Sequence, residues 1–103
     1  MKLPRKEVII AGHTIKIVYR REMKLDSAPI WGLYDDNKHV ISLATGMDES
    51  RKIETFLHEC IHAIDHIHSL NLTEKAVNLL GIELLALIKN NNIEITAKKK
   101  EKK

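Results

Sequence analysis

The 103-residue sequence has little of what marks secreted, disulfide-bonded or membrane-spanning proteins. It contains a single cysteine, Cys60, so no disulfide can form within the chain, and a small secreted scaffold held by disulfides is excluded. The N-terminus has no recognisable signal peptide, and no apolar stretch approaches the roughly 20 residues of a membrane-spanning helix. We therefore expect a cytoplasmic protein with no membrane partner.

Aromatic residues are scarce, at 4% of the chain, whereas 44% of the residues are hydrophobic, so the core must consist mostly of Leu, Ile and Val. A chain of this length predicts one domain, which we place over residues 1–97. Residues 98–103 form a basic tail that we expect to be disordered. This tail contributes +4 to the net charge of +3, so the rest of the chain carries −1. The part of the chain outside the tail is therefore nearly neutral, which predicts no specific nucleic-acid partner.

The N-terminal half predicts β-strands and the C-terminal half predicts helices. Alternation of apolar and polar residues favours strands, and an Asp-Asp-Asn-Lys turn separates the last two of them. Residues 20–29 carry charge and a proline and predict a loop. The sequence therefore predicts an α+β fold, with a small N-terminal antiparallel sheet followed by two packed helices. The predicted strands cover 7–11, 14–19, 31–34 and 39–43, with a further short strand over 93–96.

Two amphipathic helices are predicted over 49–68 and 74–89. Asp48 is a suitable N-cap for the first helix. Apolar residues at helical spacing form a stripe on each helix, which we expect to be buried. In the first helix this stripe contains Ile53, Phe56, Leu57, Cys60, Ala63, Ile64 and Ile67, and in the second it contains Val77, Leu80, Leu84, Leu85 and Ile88.

The first helix carries the motif H-E-x-x-H, formed by His58, Glu59 and His62. Residues four apart lie one turn apart on the same helical face, so two imidazoles at this spacing can reach one metal ion. Glu59 would then stand beside the metal and could take a proton from water as a general base. The motif predicts a Zn²⁺ site, and the alternative is a polar helix face whose histidines only form hydrogen bonds.

A catalytic zinc site needs a third protein ligand, and several residues compete for that role. Glu74 opens the second helix and could complete a His, His, Glu set, or it could instead belong to a capping box begun by Asn71. His68 has the spacing of a longer zinc motif, but a continuous helix points it away from the metal. His66 lies about 12 Å from His58 along the helix axis. Glu83 is the remaining candidate.

Residues 53–85, and more loosely 31–43, resemble the ImmA/IrrE family of small zinc metallopeptidases, especially its short phage- and prophage-borne members. The resemblance rests on the H-E-x-x-H motif and on the helical segment EKAVNLLGIELL over 74–85. It implies a minimal zinc-peptidase core of the gluzincin type, in which the second helix supplies a glutamate ligand, here Glu74. It also implies a protein substrate, such as a regulatory protein.

Supporting roles are predicted for a few other side chains. Asp65 could orient a ligand imidazole by accepting its N–H, or could be a solvated helix residue. Tyr34, His39 and His66 are candidates to stabilise an oxyanion. Strand 39–43 could lie at the sheet edge and hold an extended peptide. Cys60 is expected to be a small buried hydrophobe and not a reactive thiol.

Two main functions follow as hypotheses, and a third, weaker one is an accessory role in which the Lys-rich tail over 98–103 contacts nucleic acid. The first is a zinc-dependent metallopeptidase that hydrolyses a peptide bond in a protein substrate, with Glu59 as general base. The second is a catalytically weak or inactive zinc-stabilised module that binds a regulatory protein. Replacing Glu59 with Gln would distinguish them, because only the first depends on this carboxylate.

Overall fold

The chain forms its strands first and its helices second, and the predicted α+β class is confirmed. The computed structural model describes residues 3–93. Both helix starts and the end of the first helix agree with the prediction, and the boundaries of the four strands predicted over 7–43 differ by at most one residue. The elements are β1 (Glu7–Ile10), β2 (His13–Arg20), β3 (Lys24–Leu25), β4 (Ala28–Pro29), β5 (Gly32–Asp35), β6 (Val40–Ala44), α1 (Glu49–His68) and α2 (Glu74–Asn90).

The main sheet has the strand order β1-β2-β6-β5 and is mixed, so the prediction of a wholly antiparallel sheet was wrong. Its outer pairs β1–β2 and β5–β6 are antiparallel, whereas β2 and β6 run parallel. The reason is topological. The chain reverses direction between β5 and β6, so β6 returns to β2 in the same direction as β2 itself. The segment over 20–29, predicted as a loop, contains the short antiparallel pair β3–β4.

One face of the sheet packs against α1 and forms the core. Ile15 and Ile17 of β2 and Ile41 and Leu43 of β6 are each at most 5% exposed, and they meet Phe56 of α1. Alternate residues of each strand point to this face because successive side chains in a strand point to opposite sides. This packing fixes the position of α1 on the sheet.

Helix α1 begins and ends where its local sequence directs. The Asp48 carboxylate accepts the N–H of Arg51 at 2.8 Å, a standard N-cap contact. The helix ends at His68, and its C-cap Ser69 adopts a left-handed conformation with φ of 53°, with its N–H reaching carbonyls of the last turn. The next helix starts five residues later, so α2 must fold back against α1.

Helix α2 packs against α1 along one side only. Val77, Gly81, Leu85 and Ile88 are buried there. Leu80 and Leu84 were predicted to be buried but are 44% and 38% exposed. Their positions were misjudged because α2 is apolar on most of its circumference, so periodicity does not reveal which side meets α1. Within the part of the chain that is described, no other element covers the opposite side of α2.

Residues 94–103 lie outside the described residues, and with them most of the predicted strand over 93–96 and the whole basic tail over 98–103. Of that predicted strand only Ile93 is described, and it belongs to no strand. Neither α1 nor α2 is long and apolar enough to cross a membrane.

Candidate metal centre

The two histidines of the H-E-x-x-H motif lie side by side on α1. Their Nε2 atoms are 3.1 Å apart, and their rings meet edge to face with centroids 4.8 Å apart. Both side chains are partly exposed, so a solute can reach them. Burial, and next the charge of neighbouring His62, lower the pKa of His58 below its ordinary value. The neutral imidazole, which is the form that binds metal ions, is therefore favoured at His58.

Glu74 completes this pair from the first turn of α2. One of its carboxylate oxygens, Oε1, lies 3.0 Å from Nε2 of His58, and the other, Oε2, lies 3.3 Å from Nε2 of His62. These three residues form the only group of three or more His, Cys, Asp or Glu side chains within residues 3–93 whose ligand atoms converge closely enough for one ion. We call them the His-His-Glu triad.

The spacing of the His-His-Glu triad fits a small tetrahedral metal ion. Ligand atoms that bind zinc at about 2.0–2.1 Å in a tetrahedron stand about 3.4 Å from one another. The separations of 3.0, 3.1 and 3.3 Å are close to that value. Two imidazoles and one carboxylate are also a donor set that zinc takes in catalytic sites with three protein ligands. The residues present therefore fit Zn²⁺.

The loop between the helices determines where Glu74 stands. Thr73 is the N-cap of α2, and its side-chain oxygen accepts the N–H of Ala76 at 3.1 Å. Glu74 is therefore the first residue of the helix, and the alternative of a capping box begun by Asn71 was wrong. The carboxylate of Asp65 accepts the N–H of Leu72 at 3.1 Å. Asp65 thus ties this loop to α1, and it forms no hydrogen bond with an imidazole of the described residues.

The competing ligands lie away from the triad. His68 is the last residue of α1 and is exposed. His66 instead faces Asp36, whose carboxylate is 3.5 Å from its Nδ1. Glu83 is exposed about two and a half turns further along α2. None of the three candidates contributes an atom to the converging group.

Glu59 points from α1 toward the sheet, and it is the only charged residue buried within residues 3–93, at 7% exposure. Burial raises the pKa of Glu59 to about 7. The backbone N–H of Tyr34 opposes this shift by donating to the carboxylate, and the charge of Glu74 adds to it. The group between the two histidines is thus a carboxyl that can gain or lose a proton near neutral pH, which suits general acid–base chemistry.

The close approach of Glu59 to the sheet depends on Gly32 at the start of β5. A Cβ atom at this position would lie 2.6 Å from Cγ2 of Thr55 and 3.2 Å from Oε2 of Glu59. Thr55 and Glu59 are four residues apart and share the face of α1 that contacts β5. Gly32 was not predicted to belong to the site. An isolated glycine inside a strand pattern is the signal that could have identified this close contact.

The three residues predicted as oxyanion helpers lie next to one another. The Tyr34 hydroxyl is 3.5 Å from Nδ1 of His39, and the Tyr34 ring lies 6.1 Å from the ring of His66. None of the three side chains forms a hydrogen bond or ion pair with the His-His-Glu triad. The three candidates therefore lie close to one another, but none of them is bonded to the triad.

The sheet edge nearest Glu59 is formed by β5. The prediction that strand 39–43 lies at the edge was wrong, because this strand is β6 and lies between β2 and β5. The carbonyl of Trp31 accepts the N–H of Ala44 at the end of β6. Because backbone groups alternate in direction along a strand, those of Gly32 and Tyr34 point away from β6. The Tyr34 N–H meets Glu59 on that outer side. The open edge of β5 therefore passes beside the motif.

Cys60 packs against the hydrophobic core on the other side of α1. Burial raises the pKa of its thiol to about 12, and the charge of Glu59 contributes to the shift. The thiol therefore stays protonated at neutral pH and is not activated as a nucleophile or ligand.

Comparison of the chain with protein families, characterised proteins and solved structures finds no match.

Proposed function

We propose that this chain is a zinc-dependent metallopeptidase whose metal ligands are His58, His62 and Glu74 and whose general base is Glu59. The single observation that carries the proposal is the convergence of three ligand atoms at 3.0–3.3 Å directly beside a buried carboxyl. The resemblance to the ImmA/IrrE family agrees with the same assignment. The donor set fits zinc, which supplies a Lewis acid that polarises a carbonyl and acidifies water.

The residues of the chain have separate tasks in this proposal. His58, His62 and Glu74 would hold the ion. Glu59 accepts a proton from the attacking water and passes it to the leaving amine. The backbone N–H of Tyr34 favours the ionised form of the Glu59 carboxyl, which is the form that accepts a proton.

A peptide substrate is supported by the open edge of β5. An extended peptide can pair with the outward backbone groups of Gly32 and with the outward carbonyl of Tyr34, as in other cases of strand addition. Such a peptide would run past Glu59, because the Tyr34 N–H already contacts that carboxylate. The substrate class that we propose is therefore an extended segment of a protein.

The first test measures metal binding. We expect about one zinc per chain by elemental analysis of the wild-type protein, and we expect Glu74→Ala to weaken zinc binding strongly. Glu83→Ala is the matched control, because it removes a glutamate from the same helix but outside the triad. Equal zinc affinity in all three proteins would contradict the proposed ligand set.

The second test measures hydrolysis of fluorescein-labelled casein with zinc, with EDTA, and with Glu59→Gln. We expect activity only in the zinc-loaded wild-type protein. Glu59→Gln should retain zinc, because Glu59 is not a ligand in this proposal. A Glu59→Gln variant that still cleaves casein would refute the role of Glu59 as general base.

A second candidate function is a zinc-stabilised protein-interaction module. The observation that favours it is the uncovered apolar side of α2, where large side chains are between 38% and 51% exposed. In that case Glu59→Gln would leave function intact, whereas metal removal would destabilise the fold. The exposed residues are Leu79, Leu80, Ile82, Leu84 and Leu87.

A further inference from the structure

A cavity of about 380 Å³ lies where the sheet ends next to the first turn of α1. The segment over 21–30, which contains β3 and β4, forms one wall of it. Trp31 forms another wall and is 45% exposed. Met23 and Ile30 add further apolar surface. We call this the Trp31 cavity, and the metal triad contributes no residue to it.

The charges around the Trp31 cavity are mainly positive. Arg21 and Lys24 line it, and the Arg51 guanidinium carbon lies 5.5 Å from the centre of the Trp31 ring. Glu22 is the one acidic residue in the lining. None of the ion pairs formed within residues 3–93 involves Arg21, Lys24 or Arg51. The cavity therefore offers an apolar wall and unneutralised positive charge to a ligand.

The Trp31 cavity lies next to the start of β5, the strand along which we propose that the substrate binds. Trp31 directly precedes Gly32, whose backbone lies against Glu59. On α1, Arg51 stands eight residues before Glu59, which is about 12 Å along the helix axis. An extended peptide advances about 3.3 Å per residue. A peptide lying on β5 beside Glu59 would therefore bring a side chain into this cavity within about two to four residues of the cleaved bond.

We propose that the Trp31 cavity accepts a glutamate or aspartate side chain of the peptide substrate and so determines which peptides the protein selects. The carboxylate would meet Arg51, Arg21 and Lys24, and the methylene groups would pack on the Trp31 ring. This inference rests on the proposed function, because it places the peptide along β5. It adds a preference for acidic substrates, which the triad alone does not predict.

Binding can be measured without turnover, because Trp31 is the only tryptophan of the chain. The Glu59→Gln variant is titrated with blocked hexapeptides that lack tryptophan and carry one Glu, one Gln or one Lys at each position in turn. We expect the Glu peptide to change Trp31 fluorescence at concentrations about three- to tenfold lower than the Gln peptide, and the Lys peptide to bind most weakly. The preference should shrink in 0.5 M NaCl.

The variants Arg51→Gln and Arg21→Gln should each weaken binding of the Glu peptide about three- to fivefold while changing that of the Gln peptide less than twofold. Lys16→Gln is the control, since this exposed cation lies on β2 outside the cavity lining. Equal binding of the Glu and Gln peptides would overturn the inference, as would an equal loss in Lys16→Gln.

A parallel assay separates this inference from the proposed function. The zinc-loaded wild-type protein is given the same peptides, and cleavage is followed by mass spectrometry. Cleavage without preference for the Glu peptide overturns the acidic pocket and leaves the peptidase standing. Binding with that preference but no cleavage of any peptide supports the pocket and counts against the peptidase.

Discussion

Replacing Gly32 with Ala tests whether the close packing of β5 against α1 holds Glu59 in place. The added Cβ would lie 2.6 Å from Cγ2 of Thr55, a distance at which one of the two must move. Thr55 cannot turn away freely, because its χ1 is restricted by the second branch on Cβ and its hydroxyl lies 3.3 Å from the sulfur of Met47. The same Cβ would lie 3.2 Å from Oε2 of Glu59.

The expected destabilisation follows from two opposing terms. Overpacking of this kind costs about 1–3 kcal/mol. The lower backbone entropy of Ala in the unfolded chain offsets about 0.4–1 kcal/mol of this cost. We expect Gly32→Ala to lower the free energy of unfolding by about 1–2 kcal/mol, which corresponds to a fall in Tm of roughly 5–10 °C for a domain of this size.

Urea and thermal unfolding followed by circular dichroism, in EDTA, would measure this effect. Thr55→Ser removes Cγ2 and keeps the hydroxyl, so the double variant with Gly32→Ala should recover about 1 kcal/mol relative to the sum of the single effects. Gly81→Ala is the control, because its Cβ would meet the His58 backbone at an ordinary 3.8 Å. That helical substitution should be neutral or stabilising by up to about 1 kcal/mol.

Two results would refute this reasoning. One is a Gly32→Ala protein as stable as the wild type, which would mean that β5 and α1 are not packed this closely. The other is a double variant with Thr55→Ser in which the two effects simply add, which would place the strain elsewhere.

Two further predictions concern Glu59 and Asp65. Because folding raises the pKa of Glu59 from 4.5 to about 7, the metal-free wild type should lose stability as pH rises from about 4.5 through 7. Glu59→Gln should abolish this loss, and at pH 8 it should be on the order of 2–3 kcal/mol more stable than the wild type, as measured by urea unfolding in EDTA. If the stabilities of the two proteins changed in parallel with pH, the burial of the carboxylate would be contradicted. Asp65→Ala removes the acceptor of the Leu72 N–H, so it should lower the free energy of unfolding by about 1–2 kcal/mol. It should also weaken zinc binding, because Glu74 would be misplaced, whereas Asp65→Asn should retain most of the stability and of the zinc affinity. Unchanged unfolding and zinc affinity in Asp65→Ala would show that this hydrogen bond does not position the loop.

The order and type of the main elements were predictable because their signals are local. Asp48 caps α1, and the apolar spacing along 49–68 has a helical period. The spacing of His58 and His62 places both on one helical face wherever that helix lies in the fold. These predictions needed no knowledge of which elements are neighbours in space.

The errors arose where a residue's environment depends on distant parts of the chain. Leu80 and Leu84 were predicted to be buried because α2 is apolar on most sides, and only the contact with α1 decides which side is covered. The strand at the sheet edge was also misassigned. The strand order places β6 between β2 and β5, and hydrophobic alternation contains no information about that order.

The sequence by itself determined the α+β order, the helix that carries the motif, and the two adjacent imidazoles, because hydrogen bonding and side-chain spacing along one helix act over a few residues. Only the tertiary structure decided which glutamate joins them. Glu74 reaches the histidines because Thr73 caps α2, Asp65 holds the intervening loop, and α2 packs back on α1. The burial of Glu59 against Gly32 was likewise decided by packing, since the two residues belong to separate elements that meet only when α1 covers the sheet.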